Sequence, residues 1–352
     1  MKKIYLALVL AGSLMYGNLK AQNQRACGTM EYYEAQKLAD PELESRMEQI
    51  ENQIQEYLTL NPTQRNQAVI TIPVVFHIVY NTSAQNISDA RIFAQLDVLN
   101  KDYARLNADA GNTPSVFQGV SANTNIQFCL AQRDPNGNAT TGINRGVNPW
   151  STSSYLNIWS GNLSGGVLGY AQFPGGSSAT DGVVLLYSSI GGPSAPGTAT
   201  PYHLGRTATH EVGHWLNLRH IWGDANCGND QVSDTPTQQT SNFGCPSFPH
   251  TTCSIGANGD MFMNYMDYTD DGCMNMFTTG QSTRMNATLS TTRASLMTSL
   301  GCTPPAGGGC GTAGSLNATS ITTTSATLNW SAVSGATSYN VQYKTSAAAN
   351  WT

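Results

Sequence analysis

The stretch His210-Glu211-Val212-Gly213-His214-Trp215-Leu216-Asn217-Leu218-Arg219-His220 decides the fold. Residues 207–216 are helical in pattern, and histidines at i and i+4 of a helix project from one face, so both imidazoles can reach one metal ion. Glu211, beside the first of them, can then act on a metal-bound water. Asn tolerates the left-handed backbone conformation, so a turn at Asn217 would bring His220 back toward the same ion. With six His and eight Glu in 352 residues, a chance HExxH has a probability of only ~0.2%. A structural zinc is the other alternative, but three ligands with an adjacent carboxylate describe an open catalytic site better than a closed one.

Outside this stretch the chain is poor in charge. Charged residues make up 11%, against about 25% in an average soluble protein. Net charge is −5 with 17 Lys+Arg, which argues against a nucleic-acid partner, because phosphate neutralisation needs a basic face. Seven of the eight Glu lie at positions 31–56, and the only later one is Glu211. Residues 1–21 read as a secretory signal: Lys2 and Lys3 start it, an apolar run follows, and Ala21 precedes a cut at Gln22. That run is short of the ~20 residues a spanning helix needs, and no later segment is apolar enough, so the expectation is a secreted protein without a membrane span. Eight cysteines in an exported chain suggest disulfides, with 105 pairings open by count alone.

Composition divides the chain into 22–67, 68–302, a Gly/Pro-rich linker at 303–314 and a tail at 315–352. By the family resemblance given below, the first two would be a pro-segment and a catalytic domain. In the pro-segment, Asp40 as N-cap and Pro41 at the first helical position predict a helix with Leu43, Met47, Ile50, Ile54 and Tyr57 along one stripe. Residues 69–79, 125–130, 155–159, 167–173 and 182–187 read as strands, 88–105 as a helix and 288–300 as a closing helix. Interleaved helices and strands predict a mixed α/β layer rather than a sandwich.

HEVGHWLNLRH resembles the long zinc-binding consensus of the metzincin metallopeptidases, with Asn217 where that consensus has glycine. Asn264-Tyr265-Met266-Asp267-Tyr268 resembles the methionine turn of the pappalysins. GRTATHEVGHWLNLRHIWGD, DTP at 234–236 and the NYMDYTDDGC, FTTGQ and RM stretches at 264–285 are similar to pappalysins of the cytophagalysin or ulilysin kind. The resemblance covers residues 25–302. It implies an α+β, zincin-like fold: a twisted mixed sheet over an active-site helix, and a lower subdomain with the methionine turn. TSATLNWSAVSGATSYNVQY in the tail resembles the opening strands of a fibronectin type III module, which would make the tail an incomplete all-β domain.

The resemblance further implies a secreted zinc endopeptidase made as a zymogen and acting on protein or peptide substrates. His210, His214 and His220 would hold Zn²⁺, and Glu211 would serve as general base and then general acid. Met266 would floor the site, and its alternative is ordinary core filling. Tyr268 would donate to the developing oxyanion, or else be a structural turn residue. The backbone of Leu168, Gly169, Tyr170 and Ala171 would pair with an extended substrate. Asp271 resembles the acidic position near the S1′ pocket, implying preference for Arg or Lys after the scissile bond.

Between Arg219 and Arg284 there are seven Asp and no Lys or Arg. Uncompensated carboxylates repel, so cations are expected among them. The resemblance to pappalysins implies Ca²⁺ here, and Asp230, the Val232 carbonyl and Asp234 offer oxygen ligands, the alternative being a solvated acidic loop. Cys227–Cys253 and Cys245–Cys273 resemble the two family disulfides, and Cys129 with Cys302 would tie the closing helix to the sheet. Cys27 would occupy the zinc in the latent form as a thiolate, unless it is a disulfide partner of Cys310. Two other readings stand beside this one: a surface adhesin with a vestigial zinc site, its fibronectin-like tail contacting a surface or matrix, and a zinc hydrolase of non-protein substrates.

Overall fold

The computed structural model describes residues 24–61, 68–253, 258–305, 313–331, 339 and 341. The proposed signal, Cys310 and most of residues 338–343 of the tail lie outside the described residues. In chain order the elements are β1 (Ala26–Cys27), α1 (Thr29–Ala39), α2 (Leu43–Leu60), β2 (Ile70–Ile78), α3 (Asp89–Tyr103), α4 (Ser115–Gln118), β3 (Ile126–Leu130), β4 (Ile143–Asn144) and β5 (Leu156–Gly161). Then follow β6 (Val167–Ala171), β7 (Val183–Leu186), α5 (Arg206–Trp215), α6 (Thr279–Ser290), β8 (Asn317–Thr319) and β9 (Thr327–Asn329).

The main sheet runs in the order β1-β6-β7-β5-β2-β3, with β4 also paired to β2. All its pairings are parallel except β6 on β7. Central β2 is apolar almost throughout, and its residues 72–78 are all buried, as a strand covered on both faces must be. Helix α3 lays Ile92, Val98, Leu99 and Tyr103 into the core, and α5 is buried at all ten residues. The short N-terminal strand β1 completes the sheet at the β6 edge, with Ala26 opposite Val167 and Cys27 opposite Gly169. The layering is the mixed α/β arrangement that the alternation of patterns predicts.

Three local expectations are corrected. Asp40 does not start a helix: it closes α1, which the sequence reading missed, and its Oδ1 accepts from the Glu42 N–H in the turn before α2. Pro41 therefore stands in that turn. The closing helix begins earlier, at Thr279, because Thr278 and Gln281 form a capping box, and residues 294–298 are a 3₁₀ turn. The predicted strand at 167–173 ends at Ala171, where Gln172 and Phe173 leave the ladder. In the tail, β8 and β9 form an antiparallel pair whose residues are all exposed.

Candidate active site

Helix α5 carries His210, Glu211 and His214, all buried, and ends at Trp215. Asn217 has φ +70, the left-handed turn that the sequence suggested, and the chain comes back so that His220 faces the helix. Gly213 is needed on the helix itself: a Cβ there would lie 2.5 Å from the Met266 sulfur. Its absence lets the turn at 264–268 close beneath the histidines.

Each imidazole is tied through Nδ1, His210 to the Tyr265 carbonyl (2.7 Å), His214 to the Leu218 carbonyl (2.7 Å) and His220 to an Asp224 carboxylate oxygen (2.5 Å). Acceptors on all three Nδ1 atoms require the Nδ1–H tautomer, which leaves bare lone pairs on all three Nε2 atoms. Those lone pairs face one another: Nε2 of His214 stands 3.1 Å from Nε2 of both His210 and His220. Without a cation the arrangement is repulsive, and with one it is a donor set. The Cys27 sulfur completes the group, its four ligand atoms all lying within 4.8 Å of one another. An imidazole and thiolate set of this kind suits zinc.

The N-terminal segment from Arg25 to Thr29 fills the cleft. Cys27 is buried, has no disulfide partner among the described residues and lies 3.3 Å from Glu211 Oε2. Thr29 donates to the same Oε2 at 3.0 Å and accepts from the Ala171 amide, and the Gly28 amide donates to the Gly169 carbonyl. Gly169 is where β6 approaches closest, since a Cβ there would sit 2.8 Å from Glu211 Cγ. The Tyr268 hydroxyl accepts from the Cys27 amide at 3.3 Å. Burial pushes the Glu211 carboxyl up to about 8, against the lowering effect of its Cys27 and Thr29 hydrogen bonds and the Arg25 charge. Burial and then the Glu211 charge raise the Cys27 thiol well above its ordinary range, while burial and the neighbouring imidazoles hold His210 and His214 well below theirs. A cation among the imidazoles would oppose the first two effects, because it favours carboxylate and thiolate.

Beside this group Arg25 ion-pairs with Asp271, both side chains fully enclosed. Its guanidinium also donates to the Thr269 carbonyl (3.2 Å) and the Thr207 hydroxyl (3.5 Å) and lies 4.9 Å over the Tyr202 ring. Asp271 additionally accepts from the Leu204 and Arg206 amides at the start of α5. Leu168 and Ala171 are buried in β6, and Tyr170 packs against Tyr32 of α1. Asp230 and Asp234 are not brought to this group. Asp230 accepts from Thr235 and the Val232 amide, and Asp234 accepts from Thr278 and the Gly280 amide at the start of α6. Cysteines 129 and 302, 227 and 253, and 245 and 273 are bonded.

Sequence reasoning missed Arg25, Thr29, Thr207 and Asp224. Only Arg25 had a legible signal, a lone cation two residues before Cys27 in a chain whose acidic loop lacks basic partners.

Fold and donor set together define a class, the metallopeptidases. Residues 143–290 match the family described as Peptidase M43, pregnancy-associated plasma protein-A. An extracellular metalloprotease of Colletotrichum graminicola is 37% identical over 241 residues, covering 65% of this chain and 80% of that protein. One from Pyricularia oryzae is 36% identical over 240 residues, covering 65% and 78%. Among solved structures, mature mirolysin of Tannerella forsythia in complex with a cleaved peptide is 50% identical, with a TM-score of 0.64 over 66% of this chain and 97% of that one. A mutant of Tannerella forsythia promirolysin is 47% identical, with a TM-score of 0.70 over 78% and 97%. The chain belongs to this pappalysin-type family and is an extracellular zinc metallopeptidase. Among the described residues no helix is long and apolar enough to cross a membrane.

Proposed function

We propose that the protein is the latent form of a zinc endopeptidase, with signal, pro-segment, catalytic domain, linker and fibronectin type III-like tail at 1–21, 22–67, 68–302, 303–314 and 315–352. The observation that carries this reading is the convergence of three imidazole lone pairs beside Glu211, with a pro-segment thiol as fourth donor. His210, His214 and His220 would hold the zinc. When bound, it supplies Lewis acidity and lowers the pKa of water to about 7.

Glu211 takes the proton of the attacking water at its buried carboxylate and returns it to the leaving amine. Tyr268, whose hydroxyl reaches the backbone lying in the cleft, donates to the developing oxyanion. Gly169 and its neighbours Leu168, Tyr170 and Ala171 offer an extended substrate the backbone that β1 now occupies. Met266 packs beneath, filling the space that Gly213 leaves open.

Cys27 keeps the enzyme latent as the fourth donor, and the similarity to a promirolysin structure supports a zymogen. Asp271 selects Arg or Lys at P1′, a reading supported by the guanidinium of Arg25 already seated on it. Asp230, the Val232 carbonyl and Asp234 form a calcium loop, supported by seven Asp without a basic residue over this region. The tail acts as a spacer or surface contact. The adhesin reading needs a lost ligand or base, and neither Glu211 nor any of the three histidines is lost.

The test is cleavage of casein and of peptides carrying Arg, Lys or Ala after the scissile bond by processed protein, with and without chelator, beside Glu211→Ala. Activity should vanish in both treatments and favour the basic peptides. Activity surviving both would overturn the mechanism, and indifference to the basic residue would overturn the role of Asp271.

A further inference from the structure

The third histidine is held differently from the other two. His210 and His214 direct Nδ1–H to neutral backbone carbonyls, whereas His220 directs it to the Asp224 carboxylate at 2.5 Å. This partner is four residues downstream and reaches back only because the chain folds sharply on itself. The Gly223 amide donates to the His220 carbonyl, and Gly223 and Asp224 both take left-handed conformations, φ +63 and +55. A Cβ on Gly223 would fall 2.4 Å from the Asn229 nitrogen, so glycine is required there, while aspartate is among the few residues that tolerate the conformation next to it.

Two further observations mark the contact as dedicated. The second carboxylate oxygen of Asp224 is buried without a hydrogen-bond partner among the described residues. The indole of Trp222 lies flat against the His220 ring, centroids 4.4 Å apart and planes within 8°, and is itself braced edge-on by Tyr268 at 4.8 Å. The ring is thus prevented from rotating by stacking and fixed in tautomer by the carboxylate, which also increases electron donation through the opposite nitrogen.

We infer that Asp224 is a positioning residue of the metal site, a carboxylate that orients and strengthens His220 as a ligand. This inference rests on the zinc reading above. It also couples the ligand to the loop that the Cys227–Cys253 disulfide braces three residues further on.

The test uses the full chain in a Glu211→Ala background, which prevents self-cleavage, and compares Asp224, Asp224→Asn and Asp224→Gly. Glycine preserves the positive-φ turn while deleting the acceptor, and asparagine keeps an acceptor while deleting the charge. Zinc affinity is measured by chelator competition, the ligand field by the visible spectrum of the Co²⁺-loaded protein, and folding by the melting temperature of metal-free samples. The glycine variant should bind zinc about 10–100-fold more weakly, with asparagine intermediate, an altered Co²⁺ spectrum and an unchanged metal-free melt. Zinc affinity and spectrum equal to the parent's in the glycine variant would overturn the inference. An equal loss of metal-free stability would overturn it too, by making Asp224 a turn residue only. A parent that fails to take up one zinc would instead overturn the zinc reading itself.

Discussion

Replacing Arg25 by alanine should release the pro-segment without touching the thiol. Arg25 and Asp271 have side chains 1% and 0% exposed, and the guanidinium has further partners in the Thr269 carbonyl and the Thr207 hydroxyl. Removing one member of a buried ion pair costs about 3–5 kcal/mol, because the remaining charge stays desolvated. Here the smaller figure applies, since the vacated pocket admits water and Asp271 keeps the Leu204 and Arg206 amides as donors. About 3 kcal/mol corresponds to ~10²-fold at 1.4 kcal/mol per decade, and the loss falls on the closed state of the pro-segment. Purified zymogen carrying Arg25→Ala, with Cys27 intact, should therefore show an activation lag shortened by about two orders of magnitude. Arg25→Lys keeps the charge but loses the two-sided donation to Thr207 and Thr269, so its lag should fall between. The assay follows cleavage of a quenched fluorescent peptide after dilution of the zymogen into activity buffer. A lag for Arg25→Ala equal to that of the parent, while Cys27→Ala shortens it, would refute the reasoning. Latency would then rest on the metal-facing thiol alone.

Gly169→Ala would place a methyl 2.8 Å from Glu211 Cγ and 3.0 Å from the Val184 carbonyl. Overpacking by about 1–3 kcal/mol should displace the carboxylate and lower kcat roughly tenfold or more, with zinc content unchanged, as metal analysis of the variant would check. His77 is buried, donates from Nε2 to Asn157, accepts at Nδ1 from Asn144 and stacks on Trp159, and burial holds its imidazole below the ordinary range. A depressed histidine contributes stability that is present above an unfolded pKa of about 6.5 and is lost as pH falls from there through the folded value. Urea unfolding of the Glu211→Ala zymogen at pH 7.5 and 5.5 should show this loss, and His77→Gln should reduce it. An equal loss in both proteins would mean that other groups carry the acid dependence.

Much of the site was legible because its chemistry is encoded locally. Helical spacing puts His210 and His214 on one face, and the left-handed tolerance of Asn217 allows His220 to return, so three converging imidazoles and the adjacent Glu211 follow from eleven consecutive residues. Strands were equally legible where apolar β-branched runs must be buried on both faces, as in β2. Helix ends were less so. Asp40 carries the same N-cap signal whether it begins α2 or closes α1, and the start of α6 is set by a Thr278–Gln281 capping box rather than by the apolar pattern at 288–300.

What the sequence by itself determined is the candidate group: which imidazoles converge, which carboxyl stands beside them, and the peptidase family that their spacing resembles. Only the tertiary structure decided what surrounds that group. Arg25 meets Asp271 across 246 residues, Thr29 meets Glu211 across 182, and β1 joins β6 as an added parallel strand. No periodicity encodes such pairings, because they depend on the shape of a cleft assembled from distant elements. The Asp224 contact lies between these limits. Its partner is only four residues away, yet the bond exists because Gly223 and Asp224 turn left-handed together, a backbone choice imposed by the packing of the loop against Asn229.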